Sequence, residues 1–195
     1  LTLYRDSTDN ILDPTKGTRL QLTIAPYYAT IERSENFTVA ELTGSAYFGI
    51  GERDWFVPAI RVRAGTINGP ETRQIPAIKR FYSGGGGSVR GYEFQTAGPL
   101  DAEGDPVGGR SVLETGLELR WRVSETFGLV PFVEGGTVYD EPTPDFSEDL
   151  FWAAGLGLRY FTIVGPIRLD VAFPLNGRPN IDDDYQIYVS LGQAF

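Results

Sequence analysis

The sequence predicts an all-β protein, an antiparallel transmembrane β-barrel to which this chain contributes about eight to nine strands. Three observations predict it. Apolar and polar residues alternate with period two in windows of about ten residues, the length a tilted strand needs to cross a bilayer. Tight turns alternate with long polar connections along the chain. The face opposite the apolar one carries charges of both signs, which suits a wet interior and not a dry core.

The elements follow in order. Leu1–Ser7 reads as the end of one strand. In Thr18–Tyr28, Leu20, Leu22, Ile24, Pro26 and Tyr28 share one face, with Arg19, Gln21, Thr23 and Tyr27 on the other. Val39–Ile50 sets Ala40, Leu42, Ala46, Phe48 and Ile50 against Glu41, Thr43, Ser45 and Tyr47. Trp55–Thr66 sets Phe56, Pro58, Ile60 and Val62 against Arg61 and Arg63. In Val112–Val123, Leu113, Thr115, Leu117, Leu119 and Trp121 oppose Glu114, Glu118, Arg120 and Arg122. Phe127–Tyr139, Leu150–Phe161, Gly165–Pro174 and Tyr185–Phe195 complete the set. Alternation alone also fits a soluble sandwich with its apolar faces turned inward. The connections decide between them: GERDW, SETF and TIVGP are tight, whereas ERSENF, DEPTPDFSED and NGRPNIDDD are long and polar. Short turns at one end and long loops at the other mark an outer-membrane barrel, with the long loops outside the cell. Aromatic residues near strand ends, among them Trp55, Phe56, Trp121, Tyr160 and Phe195, fit the two headgroup levels.

Composition excludes several chemistries. The 195 residues include neither cysteine nor histidine, which removes disulfides, thiolate sites, the commonest general base and the commonest metal ligand. A net charge of −9 disfavours nucleic acid as a partner. No metal site, cofactor or catalytic residue is expected. Glu114 and Glu118 lie four apart on one strand, roughly 13 Å, too far for a paired-carboxylate hydrolase. The Asp182–Asp184 run reads as a solvated loop.

One connection, residues 68–110, is far longer than an ordinary loop and contains FYSGGGGSVRGYEF, with Gly84, Gly85, Gly86 and Gly87 followed by Val89, Arg90, Gly91 and Tyr92. A phosphate-binding loop needs Lys-Ser or Lys-Thr after the glycines and then a helix; here Val89 follows Ser88 and no helical pattern follows. A flexible linker does not explain Phe81, Tyr82, Tyr92 and Phe94 around the glycines.

The Phe81-Tyr82, Gly84–Gly87, Val89-Arg90-Gly91-Tyr92 sequence resembles the sixth extracellular loop of the outer-membrane assembly and translocation superfamily, which includes the bacterial surface-antigen family. Phe132–Val138, Gly165–Asp170 with Pro174-Leu175, and the closing Tyr188–Phe195 resemble later strands of that family and its C-terminal signal, carried by Tyr188, Leu191, Gly192 and Phe195. The spacing around the glycines resembles the TamA-type members more than the BamA-type. The resemblance implies a sixteen-strand barrel, of which this chain is the C-terminal half, in which the loop folds back into the lumen, with Arg90 meeting an inner-wall acid, Glu134 as first choice and Asp170 as second. The implied localisation is the bacterial outer membrane. The implied function, without enzymatic chemistry, is insertion or export of outer-membrane or autotransporter-type proteins. The implied partners are the lipid bilayer, client polypeptides and an inner-membrane-anchored protein. A two-partner-secretion transporter or passive pore, and the barrel part of a surface-displayed lipase, are the alternatives. A closed eight-strand barrel is filled by its own side chains and has no room for so long a loop, so the loop itself argues for a wider parent barrel.

Overall fold

The computed structural model describes residues 1–28, 35–51, 53–145 and 150–195. Parts of the connections ERSENF, GERDW and DEPTPDFSED therefore lie outside the described residues. The strands are β1 (Thr2–Asp6), β2 (Lys16–Tyr27), β3 (Phe37–Phe48), β4 (Phe56–Asn68), β5 (Ser111–Arg122), β6 (Phe127–Tyr139), β7 (Phe151–Thr162), β8 (Gly165–Pro174) and β9 (Gln186–Leu191). They form one antiparallel meander in chain order, open between β1 and β9 among the described residues. Two single-turn 3-10 segments, Thr72–Gln74 and Ala77–Lys79, sit in the β4–β5 connection.

The sheet is inside-out relative to a soluble domain. Leu117 is 50% exposed and Leu156 52%, whereas Glu114 is 1% exposed and both Arg159 and Asp170 are fully buried. The cause is the period-two pattern: in β5 each leucine points away from the neighbouring carboxylate, so the register carries the whole charged row to one face. Ring pairs flank the oily row, with Phe56 stacked on Trp121 at 5.6 Å and Phe127 against Tyr160 at 5.4 Å near the short turns. Phe173 and Tyr185 pair at 6.3 Å near the long loops.

The core lies between the polar face of the sheet and the β4–β5 loop. Ile75 and Phe81 of the loop pack with Phe37, Ile67, Val112 and Val138 of the strands. Val89, Tyr92 and Ala97 pack against Ala153 of β7. The loop thus supplies much of the apolar material that the sheet's inner face lacks.

One expectation needs correction. Tyr185–Phe195 was expected to be strand throughout, which would leave Phe195 on the outer face with Ile187 and Leu191. The strand instead ends at Leu191. Gly192 adopts φ +87°, a left-handed turn that costs glycine little. Its N–H donates to the Pro166 carbonyl, and the Gln193 N–H donates to the Leu12 carbonyl. The chain turns inward there, so Phe195 stacks on Tyr47 at 6.4 Å between the guanidinium groups of Arg61 and Arg120. Tyr139, another strand-end aromatic, is also buried.

Candidate functional site: a loop arginine seated on the inner wall

Arg90 is fully buried beneath the loop and meets three carboxylates from three strands. Its Nε and Nη2 donate to the Glu134 carboxylate of β6 at 3.0 and 2.7 Å, and its own backbone N–H donates to the same group at 2.8 Å. Nη1 donates to Asp170 of β8 at 2.6 Å, and Nη2 also donates to Glu118 of β5 at 2.8 Å. The guanidinium lies over the Phe132 ring, 3.5 Å from its centroid. A planar fork serves three acceptors at once in a way that an ammonium cannot. Burial alone pulls the Arg90 pKa down; Glu134 above all, then Glu118 and Asp170, outweigh that and hold it above the ordinary arginine value.

Three acids around one arginine would be unstable without further cations. Arg120 donates to Glu118 at 3.0 Å, Arg159 donates to Asp170, and the Arg168 Nε stands 3.4 Å from Asp170. Breaking such a buried set by removing one partner costs about 3–5 kcal/mol, because the remaining charges stay desolvated.

The glycine tip is fixed by its backbone. Arg61 of β4 donates to the carbonyls of Gly87 and Ser88, each at 2.6 Å, and Arg168 donates to that of Gly86 at 3.1 Å. The Ser88 hydroxyl donates to Glu114 and accepts the Gly84 N–H at 2.9 Å. Gly85 N–H donates to the Val89 carbonyl, closing the tip on itself. Gly91, at φ +104°, lies so close to β7 and β8 that a Cβ there would come 2.8 Å from the Ala153 Cβ and 3.3 Å from the Phe173 backbone. The Tyr92 hydroxyl reaches the Trp152 carbonyl and the Asn176 side chain, both at 3.1 Å, and its ring meets Phe151 edge-on at 5.2 Å.

Of the sequence-predicted residues, Arg90 meets both Glu134 and Asp170, which lie on the inward face, while Gly84–Gly87, Val89, Gly91 and Tyr92 seat the loop around it on other partners. Sequence reasoning missed Glu118 as the third acid, although its parity with Glu114 placed it on the correct face. It also missed Arg61 and Arg168 as the carbonyl clamps. Of the four C-terminal signal residues, Leu191 faces outward, Gly192 makes the turn and Phe195 is tucked inside. Tyr188 faces inward and bonds the loop, accepting the Gly91 N–H at 3.2 Å and donating to the Tyr92 carbonyl at 2.9 Å.

Known proteins resemble this chain in sequence and fold. The chain is 31% identical over 196 residues to the outer membrane protein assembly factor BamA of Nitratidesulfovibrio vulgaris, covering 98% of this chain and 24% of that protein. It is 27% identical over 235 residues to BamA of Neisseria meningitidis serogroup B, covering 98% of this chain and 28% of that one. A SAM50-like protein of Schizosaccharomyces pombe is 23% identical over 188 residues, covering 89% of this chain and 39% of that protein. The crystal structure of BamA from Haemophilus ducreyi lacking POTRA domains 1-3 superposes with a TM-score of 0.78 at 18% identity, over 95% of this chain and 40% of that one, and so shares the fold. The chain thus spans well under half the length of these relatives. None of them lends support to the TamA-type reading of the glycine spacing. The Omp85 superfamily domain matches residues 1–195, and this chain, with its arginine-tipped loop on an inside-out antiparallel sheet, belongs to the Omp85 superfamily.

Proposed function

We propose that this chain is the membrane-embedded part of an outer-membrane protein assembly factor, working in the bacterial outer membrane on client barrel polypeptides. The observation that carries this reading is the Arg90 loop seated on the charged inner face of a sheet whose other face is oily. In that sheet the last strand, β9, pairs among the described residues along one edge, with β8, and carries an outward apolar row of Ile187, Val189 and Leu191. In this reading its other edge is a template for an incoming strand, whose backbone pairs by β-addition while its alternate side chains meet lipid. No covalent step is needed. The names of the relatives, BamA and a SAM50-like protein, support the same direction.

In this reading the barrel has sixteen strands, the β4–β5 loop enters its lumen from the extracellular side, and Arg90 with Glu134, Asp170 and Glu118 keeps the loop seated. An inner-membrane-anchored partner belongs to the same proposal. The test is site-specific photocrosslinking in cells from outward positions of β9 in the full-length protein. Adducts with nascent outer-membrane proteins, together with lost assembly when the loop tip is deleted, are expected. Ion conductance with neither adducts nor rescue of assembly would replace this reading with the passive-pore or secretion-channel alternative. A separate enzymatic domain in the full-length protein would favour the surface-displayed lipase.

A further inference from the structure

The loop is gripped from two separated parts of the sheet. Arg61, Glu118 and Glu134 belong to β4, β5 and β6. Besides the bond of the Tyr92 hydroxyl to the Trp152 carbonyl of β7, a second set of grips comes from the last hairpin. In β8, Asp170 holds Arg90 and Arg168 holds the Gly86 carbonyl. In the β8–β9 connection, Arg178 donates to the carbonyls of Thr96 and Gly98 at 2.7 and 3.0 Å. In β9 the grip is Tyr188. The loop therefore staples the last hairpin to the β4–β6 wall, across β7.

Within this staple, Tyr188 has a particular position. It accepts the N–H of Gly91 and donates to the carbonyl of Tyr92, the two residues that follow Arg90. Its ring lies under Gly86, where a Cβ would come 2.9 Å from the Tyr188 Cδ1. One phenol thus touches the loop on both sides of the arginine, and it does so through backbone, not through a side chain that could swing to follow. β9 is also short, six residues, and among the described residues it pairs with β8 alone. A change in its twist or tilt carries the phenol with it, and the peptide beside Arg90 must either follow or lose both bonds.

We infer that Tyr188 is a positioning residue that couples the last strand, β9, to the seating of the Arg90 loop. The inference rests on the reading of β9 as the strand that receives clients. Coupling between two sites is reciprocal: a strand paired on β9 changes loop seating by the same factor by which loop seating changes strand pairing. Loss of the hydroxyl removes that linkage while leaving both ends in place.

The experiment uses the full-length protein in liposomes, with the rate of proteolysis within the loop as readout. The probe strand is a photoreactive peptide of the sequence Tyr185–Phe195. In the wild type, peptide crosslinked to β9 changes the loop cleavage rate about fivefold or more; in Tyr188→Phe the change falls below about twofold while the crosslinking yield is retained, as expected for loss of about 1 kcal/mol of hydrogen bonding. An equal change in both proteins overturns the inference, as does no change in a wild type that crosslinks. A second arm needs no client strand. The chain has no cysteine, so Leu169→Cys with Val189→Cys, Cα partners on the outer faces of β8 and β9, pins the hairpin with one disulfide. Oxidation slows loop cleavage in the Tyr188 background and leaves it unchanged with Tyr188→Phe; the same response in both overturns the coupling. Failure of the peptide to crosslink while this second arm succeeds removes the client-strand reading and leaves Tyr188 as the link.

Discussion

Arg90 and Glu134, 44 residues apart in sequence, are joined by three hydrogen bonds, one of them from the Arg90 backbone N–H. The arginine is therefore placed by its main chain as well as by its side chain, and loop conformation and charge pairing cannot change independently.

Removing the guanidinium tests this. Arg90→Ala leaves Glu118, Glu134 and Asp170 desolvated around an empty space, and a loss of about 3–5 kcal/mol is expected. Arg90→Lys retains the charge but lacks the planar fork that makes four side-chain bonds to three carboxylates, so it falls between alanine and wild type. Thermal unfolding followed by the gel shift of the folded barrel, with loop proteolysis alongside, gives the order wild type, lysine, alanine.

The three acids are not equivalent. Glu134 takes three of the Arg90 bonds, whereas Glu118 takes one and is also held by Arg120. Double-mutant cycles with Arg90→Ala are expected to give a larger coupling for Glu134→Gln than for Glu118→Gln, within the usual range of about 0.5–3 kcal/mol for contacting residues. Equal couplings would show that the second side-chain bond to Glu134 adds nothing.

The glycines of the tip separate by position. Gly84, at φ +108°, would place a Cβ 2.6 Å from the Glu93 carbonyl oxygen, and Gly91 would drive one into Ala153. Alanine at either is expected to unseat the loop as strongly as loss of Arg90. Gly87 has nothing within 4 Å of its Cβ position. There alanine is expected to be neutral, or stabilising by about 0.4–1 kcal/mol through the unfolded chain. Loop cleavage rates of the three variants check the contrast.

Alkaline pH reads the other anchor of the tip. Burial first, and then nearby Asp182, push the Tyr92 hydroxyl from its ordinary 10.0 up to about 12. The folded state thus favours the neutral phenol. Its contribution is complete below pH 10 and is lost as pH rises toward 12. Loop protection is expected to decline across that window in the wild type, while Arg90 stays charged, and Tyr92→Phe is expected to lack this step.

Much of this was legible in the chain itself, for a local reason. Strand phase depends on neighbours two residues apart, so the row Leu113, Leu117, Leu119 and Trp121 and the row Glu114, Glu118 and Arg120 could be assigned to opposite faces before any pairing was known. The glycine run, the loop arginine and the acids Glu134 and Asp170 were named from the family resemblance of the motif and from strand parity together. Glu118 was legible only as an inward charge. Its role as a third acceptor depends on β5 lying beside β6 in a register that sets Glu118 opposite Phe132, whose ring carries the Arg90 guanidinium. The inward turn of Phe195 was hidden because period two predicts that a strand continues, and only the contacts of Gly192 with Pro166 and of Gln193 with Leu12 show where it stops.

By itself the sequence determined which side of each strand is oily, where the turns fall and that one arginine sits on a glycine-rich tip. These are properties of short windows, written in side-chain alternation and backbone permissiveness. Only the tertiary structure decided that this arginine is shared by three strands, that Arg61 and Arg168 hold the tip by its carbonyls, and that Tyr188 joins the edge strand to the loop. Those pairings span separations such as the 80 residues between Arg90 and Asp170, and are fixed by the register of the whole sheet acting at once.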